Sequence, residues 1–191
     1  MTTWFTADTH FGHTNVIKFC NRPFSSVEDM DDALINNWNS VVKSEDVVYH
    51  LGDFTLKNLK EFKSYCRRLS GNILIVPGGH DHRWIEQSKS SSYVDNLSAI
   101  CYTIDGTVRL MSPLLSLELN NEDSDYPSVI VLCHYAMRVW DRSHYGSIHL
   151  YGHSHGNLPP IKNTMDVGVD VNNFYPISLE EVLERFNVKQ E

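Results

Sequence analysis

Asp8-Thr9-His10 and His153-Ser154-His155 each place two metal-ligating side chains two residues apart. In extended backbone that spacing turns both to the same side. Single residues of the same kind stand elsewhere: Asp53 after a glycine, His80 and Asp81 after two glycines, and His134 after an apolar run. Carboxylate and imidazole donors suit Mn, Fe, Zn or Ni better than Mg or Ca, which prefer shells of oxygen alone. Asp8, His10, Asp53, His134, His153 and His155 are too many donors for one tetrahedral ion, so two divalent ions sharing a carboxylate is the economical arrangement. Two cations about 4 Å apart can activate a water and clamp the oxygens of an in-line phosphoryl displacement. Each residue taken singly has a plainer use. Asp8 could cap a helix beginning near His13, His134 could sit in the core, and Gly152 to Gly156 could form a polar turn.

The elements that must carry these residues decide between the readings. Short β-rich runs occupy Thr3 to Ala7, Asp46 to Leu51, Asn72 to Val76, Val129 to Cys133, Ser147 to Tyr151 and Met165 to Val169. Most are apolar throughout, as strands covered on both faces are. Helical periodicity fills Val27 to Val42, roughly Lys57 to Leu69, and Ser178 to Phe186, the last opened by a Ser178 and Glu181 capping box. Ile100 to Met111 reads as two strands meeting at Asp105-Gly106, a favoured hairpin turn. Ser88 to Ser92 and Asn120 to Asp125 read as polar loops. The mixture predicts an α/β sandwich. Asp8 and His10, Asp53, His80 and Asp81, His134, and the His153 and His155 pair each follow a strand. All therefore fall at strand carboxyl ends, where open α/β sheets bind ligands.

Bulk composition limits the chemistry further. The chain has 191 residues, 41% of them hydrophobic, enough for one core and a single domain over 1–191. A formal charge of −8 argues against the broad basic surface that tracks nucleic acid or an anionic membrane. Cys20, Cys66, Cys101 and Cys133 are scattered without a CxxC pair, which excludes a zinc ribbon and predicts free, buried thiols. The first eight residues lack a basic start and an apolar h-region, and no stretch approaches the roughly 18 apolar residues of a membrane span. A reducing cytoplasm is the expected compartment.

Asp8-x-His10, Gly52-Asp53, Gly78-Gly79-His80-Asp81, His134 and Gly152-His153-Ser154-His155 resemble, in order and spacing, the five motifs of the calcineurin-like metallophosphoesterase superfamily. Phe11-Gly12-His13, Cys20-Asn21-Arg22-Pro23-Phe24 and His149-Leu150-Tyr151 look like the small stand-alone members of bacteria and phages, so the resemblance covers most of the chain. It implies a four-layer α/β/β/α sandwich of two mixed sheets flanked by helices. It also implies one ion on Asp8, His10, Asp53 and His155 and a second on Asp53, His134 and His153, with Asp53 and a hydroxide bridging them. His80, oriented by Asp81, would protonate the leaving oxygen or stabilise charge on the phosphoryl group. The chain departs from the pattern at Gly79, where the family carries an Asn ligand. The second site is therefore expected to be weaker, with water, the Gly79 carbonyl or His82 filling the gap.

The expected substrate is a small, nucleotide-like or other phosphodiester or phosphomonoester. His13, Asn15, Arg22 and Arg142 are candidates to contact it, with Arg138 and His144 nearby in sequence. His50 is expected to pack or to orient a ligand, and Trp140 to belong to the core unless it stacks on a base. Phe54-Thr55-Leu56 after Asp53 departs from the Ser/Thr protein phosphatases and, at Leu56, from the purple acid phosphatases. Two non-enzymatic readings compete: a protein-interaction scaffold on the same fold, and a metal store or sensor.

Overall fold

Three of the apolar runs become adjacent parallel strands, β1 (Thr3–Thr6), β2 (Val47–His50) and β3 (Asn72–Ile75), in the computed structural model, which describes residues 1–89, 102–105, 107–119 and 127–187. Their registers run in step, Thr6 beside His50 and His50 beside Ile75, so the segments leaving them emerge from one edge. β4 (Tyr102–Asp105) and β5 (Val108–Leu110) pair antiparallel, as the hairpin reading expects, with a register shift between Thr103 and Asp105. Gly106 of that turn, Cys101, and the polar residues 90–92 and 120–125 lie outside the described residues.

A second sheet contains β6 (Leu114–Glu118), β7 (Val129–Cys133), β8 (Ile148–Tyr151) and β9 (Thr164–Asp166) in that order, the last three parallel. The first sheet runs β10-β1-β2-β3-β5-β4, where β10 (Ile177–Ser178) is an antiparallel edge. Both sheets are mixed, and the fold is an α/β sandwich. A parallel bridge, Ala7 to Gly168, ties the end of β1 to the chain just beyond β9. The two sheets thus meet at their carboxyl edges.

Helices α1 (Thr14–Phe19), α2 (Val27–Val41), α3 (Leu59–Cys66) and α4 (His82–Lys89) share one apolar cluster. In it Leu34, Ile35 and Trp38 of α2, Phe62 of α3 and Trp84 of α4 pack on Val48, Ile73 and Ile75. Phe62 and Trp84 stack at 4.0 Å. A second cluster fills the space between the sheets, with Phe5, Leu51 and Val76 against Ile130, Leu132, Ile148 and Leu150. Val182 of α5 (Leu179–Asn187) joins it.

Capping explains where the helices begin. Ser26 accepts from the Asp29 amide and opens α2, and Ser178 and Glu181 form the reciprocal box of α5. Asn58 caps Lys60 and Glu61, so α3 starts two residues later than periodicity alone suggests. Helix α1 is the one expected near His13, but no side chain caps it, Asp8 included. Ser88 and Lys89, read as loop, are instead the last residues of α4. Helix α4 and strands β6 and β10 are absent from the sequence reading, because each is short or weakly patterned.

Candidate metal centre

Asp8 and His10 leave β1, Asp53 leaves β2, His134 leaves β7, and His153 and His155 leave β8. They gather into two groups whose donor atoms lie within 4.8 Å of one another: Asp8, His10 and His155 in one, Asp53, His134 and His153 in the other. These groups could hold metal. Asp53 stands between them, its Oδ2 lying 3.4 Å from His134 Nε2, 3.8 Å from His10 Nε2 and 3.9 Å from His80 Nε2.

Buried ring nitrogens normally find a partner. Both nitrogens of His10 and Nε2 of His134 are buried without a hydrogen bond. His134 Nδ1 sits 2.7 Å from the Leu51 carbonyl, so it carries a proton there and turns Nε2 toward Asp53, where a cation can replace any second proton. His155 Nδ1 donates to Asp170 Oδ2 at 2.6 Å, which leaves its Nε2 available to coordinate. The residues present therefore fit cations: acceptor atoms converge, and neighbouring acceptors fix the tautomers.

The electrostatics agree. Burial pushes the Asp8 carboxyl up to about 7; the carboxylates of Asp53 and Asp166 add to the rise, while His134 and His155 oppose it. Burial also lowers His10 to about 2 and lowers His153, keeping both rings neutral and able to coordinate. For Asp53 burial acts upward, but His134, the His80 amide and His10 outweigh it and hold the carboxyl well below its ordinary value. Burial opposes charge on His134, yet Asp53 and Asp8 raise its pKa. A cation on this group would displace a proton that the two carboxylates otherwise attract.

The backbone is strained at the same places. Asp8, His10, Asp53, His153 and His155 all have positive φ, between 48° and 67°. His134 does not. Side chains rarely adopt this region outside sites where the surroundings impose it. Here the surroundings are loop-to-loop hydrogen bonds: Asp8 N–H to Gly52 O and His10 N–H to Asp53 O, each 3.0 Å, and His153 N–H to Asp8 Oδ2 at 2.9 Å. Close nesting of the Asp53 and Gly78 loops needs glycine, since a Cβ on Gly78 would lie 2.4 Å from Asp53 Oδ1.

Several expected roles move. Asp81 does not orient the His80 ring. It is fully buried, and its carboxylate accepts from the amides of Asp53, Phe54 and Gly78 and from Trp84 Nε1 at 2.8–3.0 Å. Burial pushes it up to about 6 while those donors favour the anion. Asp81 thus holds the backbone of Asp53, and His80, half-exposed, hangs its ring beside Asp53 with its own amide bound to Asp53 Oδ1 at 2.8 Å.

Arg22, expected at the substrate, lies beneath the centre. Its Nε and Nη2 grip Asp170 at 2.8 Å each, and its guanidinium also donates to the carbonyls of Asp8 and Thr9 at 2.6 and 3.1 Å. Arg142 is exposed and faces Glu118 at 3.8 Å. Glu118 pairs with Val129 at the start of β7, the edge opposite His134, so Arg142 lies away from the centre. His13 stays close, its ring 5.6 Å from that of His10, and Asn15 is exposed on α1. His82 approaches the Gly79 carbonyl at 3.2 Å, so those two candidate replacement donors face each other.

His50 is fully buried and pushed down to about 3 by burial; its Nδ1 accepts from the Gly52 amide and its Nε2 meets Thr9 Oγ1 at 3.0 Å. It packs between the first two loops. Trp140 donates to Ser147 and lies against His149.

Two acidic residues went unread in the sequence. Asp170 joins Arg22 to His155, and Asp166 accepts from Ser154 Oγ, Gly156 N and Gly168 N, fixing the loop that carries His153 and His155. Cys20 groups with His155 and Asp170 within the same 4.8 Å limit. Cys20, Cys66 and Cys133 form no disulfide among the described residues; of the three, Cys66 is buried as expected, while Cys20 and Cys133 are only half-buried.

Fold and centre together define a class: a two-sheet α/β sandwich with histidine and carboxylate groups able to hold metal where the sheets meet. No family model matches the chain. It is 32% identical over 187 residues to the uncharacterized protein MJ1445 of Methanocaldococcus jannaschii, covering 93% of this chain and 87% of that protein, and it belongs to the same family. It is also 33% identical over 82 residues, 41% of its length, to the Gene 66 protein of Mycobacterium phage L5, of which 39% is covered. Among solved structures, the protein of unknown function AQ665 from Aquifex aeolicus shares the fold, with a TM-score of 0.67 and 23% identity over 96% of this chain and 98% of that one.

Proposed function

We propose that this protein is a metal-dependent phosphoesterase of the calcineurin-like type, acting on a small phosphate ester through a dinuclear centre of transition-metal ions such as manganese. The observation that carries the reading is Asp53 Oδ2, poised between an unpartnered imidazole nitrogen of each group and within 3.9 Å of His80. When bound, a pair of divalent ions supplies Lewis acidity, making water nucleophilic at neutral pH and offsetting phosphoryl charge.

The chain's own residues do the rest. Asp8, His10 and His155 would hold one ion and His134 and His153 the other, with Asp53 shared. Asp81 fixes the loop of Asp53, and Arg22 with Asp170 fixes His155. His80, exposed on one side and beside Asp53 on the other, is placed to donate a proton to a leaving oxygen. No helix among the described residues is long and apolar enough to cross a membrane. The cytoplasm is the compartment we propose.

The test is hydrolysis of bis-nitrophenyl phosphate and nitrophenyl phosphate by chelator-stripped protein reloaded with Mn, Fe, Zn, Ni or Mg. Turnover of either ester only with added metal supports the reading. Undiminished turnover after stripping refutes it, and tight binding of two ions without turnover replaces it with a metal store or scaffold.

A further inference from the structure

The proposed substrate is an anion, yet the donor groups of the centre contain Asp8, Asp53 and Asp170, and the two arginines expected to meet it are engaged elsewhere. Phosphoryl oxygens must then be met by neutral donors as well as by cations. Tyr135 carries one. Its ring is wedged against His134 and His153, centroids 4.8 Å from each, at steep angles of 75° and 68°.

The backbone of Tyr135 is also held. His149, fully buried, meets the Val131 carbonyl with Nδ1 at 3.0 Å and accepts the Met137 amide at Nε2 at 3.1 Å, pinning the segment that follows β7. Ring packing on His134 and His153 then sets the direction of the phenol. Its hydroxyl reaches the Gly79 loop, where a Cβ on Gly79 would lie 3.0 Å from it and would meet no other atom within 4 Å. Tyr135 is half-exposed, and its hydroxyl has no hydrogen bond among the described residues. An O–H oriented by ring packing on His134 and His153, with no partner among the described residues and at the open mouth of that group, is a donor available to a phosphoryl oxygen.

We propose that the Tyr135 hydroxyl is a phosphoryl-binding donor, and that Gly79 keeps its path clear. The inference rests on the phosphoesterase reading above. A hydrogen bond to a charged oxygen contributes enough for about tenfold in affinity.

Calorimetry with inorganic phosphate on the Mn-loaded full-length chain tests it, beside a Mn titration of each protein. Tyr135→Phe keeps the ring that packs on both histidines. It should weaken phosphate binding about tenfold while two Mn ions bind as in the unmodified chain. Gly79→Ala, which pushes a methyl against the hydroxyl, should weaken phosphate in the same direction. Unchanged phosphate affinity in Tyr135→Phe overturns the proposal, as does failure of the two-ion unmodified protein to bind phosphate. Loss of Mn affinity in Tyr135→Phe also overturns it, assigning the phenol to the metal instead. If the unmodified chain takes up no second Mn, the dinuclear reading fails and this inference falls with it.

Discussion

Backbone strain at the centre makes a prediction whose sign changes between two neighbouring histidines. His153 sits at φ 67°, while His134, in the same group of donors, has no positive φ. Replacing either by Ala or Gly removes the imidazole equally, so the Ala and Gly variants of one position differ only by a Cβ. In left-handed backbone a Cβ costs about 1–2 kcal/mol. Against that, glycine's freedom in the unfolded chain favours Ala by about 0.4–1 kcal/mol at any position. At residue 153 the first effect is the larger, and His153→Gly should be more stable than His153→Ala by up to about 1.6 kcal/mol, with about 0.8 kcal/mol at mid-range. The His153 amide keeps its bond to Asp8 in both variants. At residue 134 only the second effect acts, and His134→Ala should be the more stable by about 0.4–1 kcal/mol. Subtracting the two comparisons cancels the unfolded-state contribution and leaves the strain itself. Urea denaturation in chelator, with matched slopes, measures all four variants. Equal or greater stability of His153→Ala over His153→Gly would refute the claim that ligand positions store strain.

Further outcomes follow from the contacts around the centre and at the opposite edge. Asp170→Asn should weaken the ion on Asp8, His10 and His155 about 10–100-fold and spare the other, measured by competition with a chromophoric chelator; equal weakening of both would reject its role on His155. Asp81→Asn faces four N–H donors with one oxygen and should lose about 3 kcal/mol of stability in thermal or urea unfolding, whereas a neutral result would show that the donors re-pair. Asp46 has its carboxyl lowered from 3.8 by the Lys43 and Thr2 amides and Trp4, so the stability it contributes is present above that value and lost as pH falls through its folded pKa. The melting-temperature gap between the unmodified chain and Asp46→Asn should therefore close below about pH 3.8; a constant gap would show that the charge is irrelevant.

Position at strand ends made the centre legible, but the extended-backbone reason for the two-residue pairs does not hold. Asp8, His10, His153 and His155 all have positive φ, and His153 and His155 fall into different donor groups, so loop hydrogen bonds and not strand pleat bring the donors together. Arg22 was not legible, since its partner Asp170 lies 148 residues away and nothing local marks a cation that is already paired. Asp170 escaped for the same reason: one acid beyond a strand carries no pattern. Arg142 is different, because chain direction decides its place. β7 and β8 are parallel, so the chain between them must return from the carboxyl edge to the amino edge, and residue 142, just before Ser147, belongs to the far end. Once β7 and β8 are known to be parallel, chain direction places Arg142 away from His134.

Three unfavourable features coincide at one place. Five candidate ligand positions hold strained backbone, three ring nitrogens of His10 and His134 are buried unpaired, and Asp8 is buried enough to titrate near neutrality. Any one costs on the order of 1–3 kcal/mol. Such costs are tolerated when something bound in the native state, and absent from the unfolded one, offsets them. A divalent cation removes two of the three directly: it gives the nitrogens a partner and the carboxylates a counter-charge. It cannot relieve the strain, which comes from the loop-to-loop hydrogen bonds that bring Asp8, Asp53 and His153 together. The strain is therefore the part of the cost that belongs to positioning, and it survives in the metal-free protein, where the His153 and His134 variants expose it.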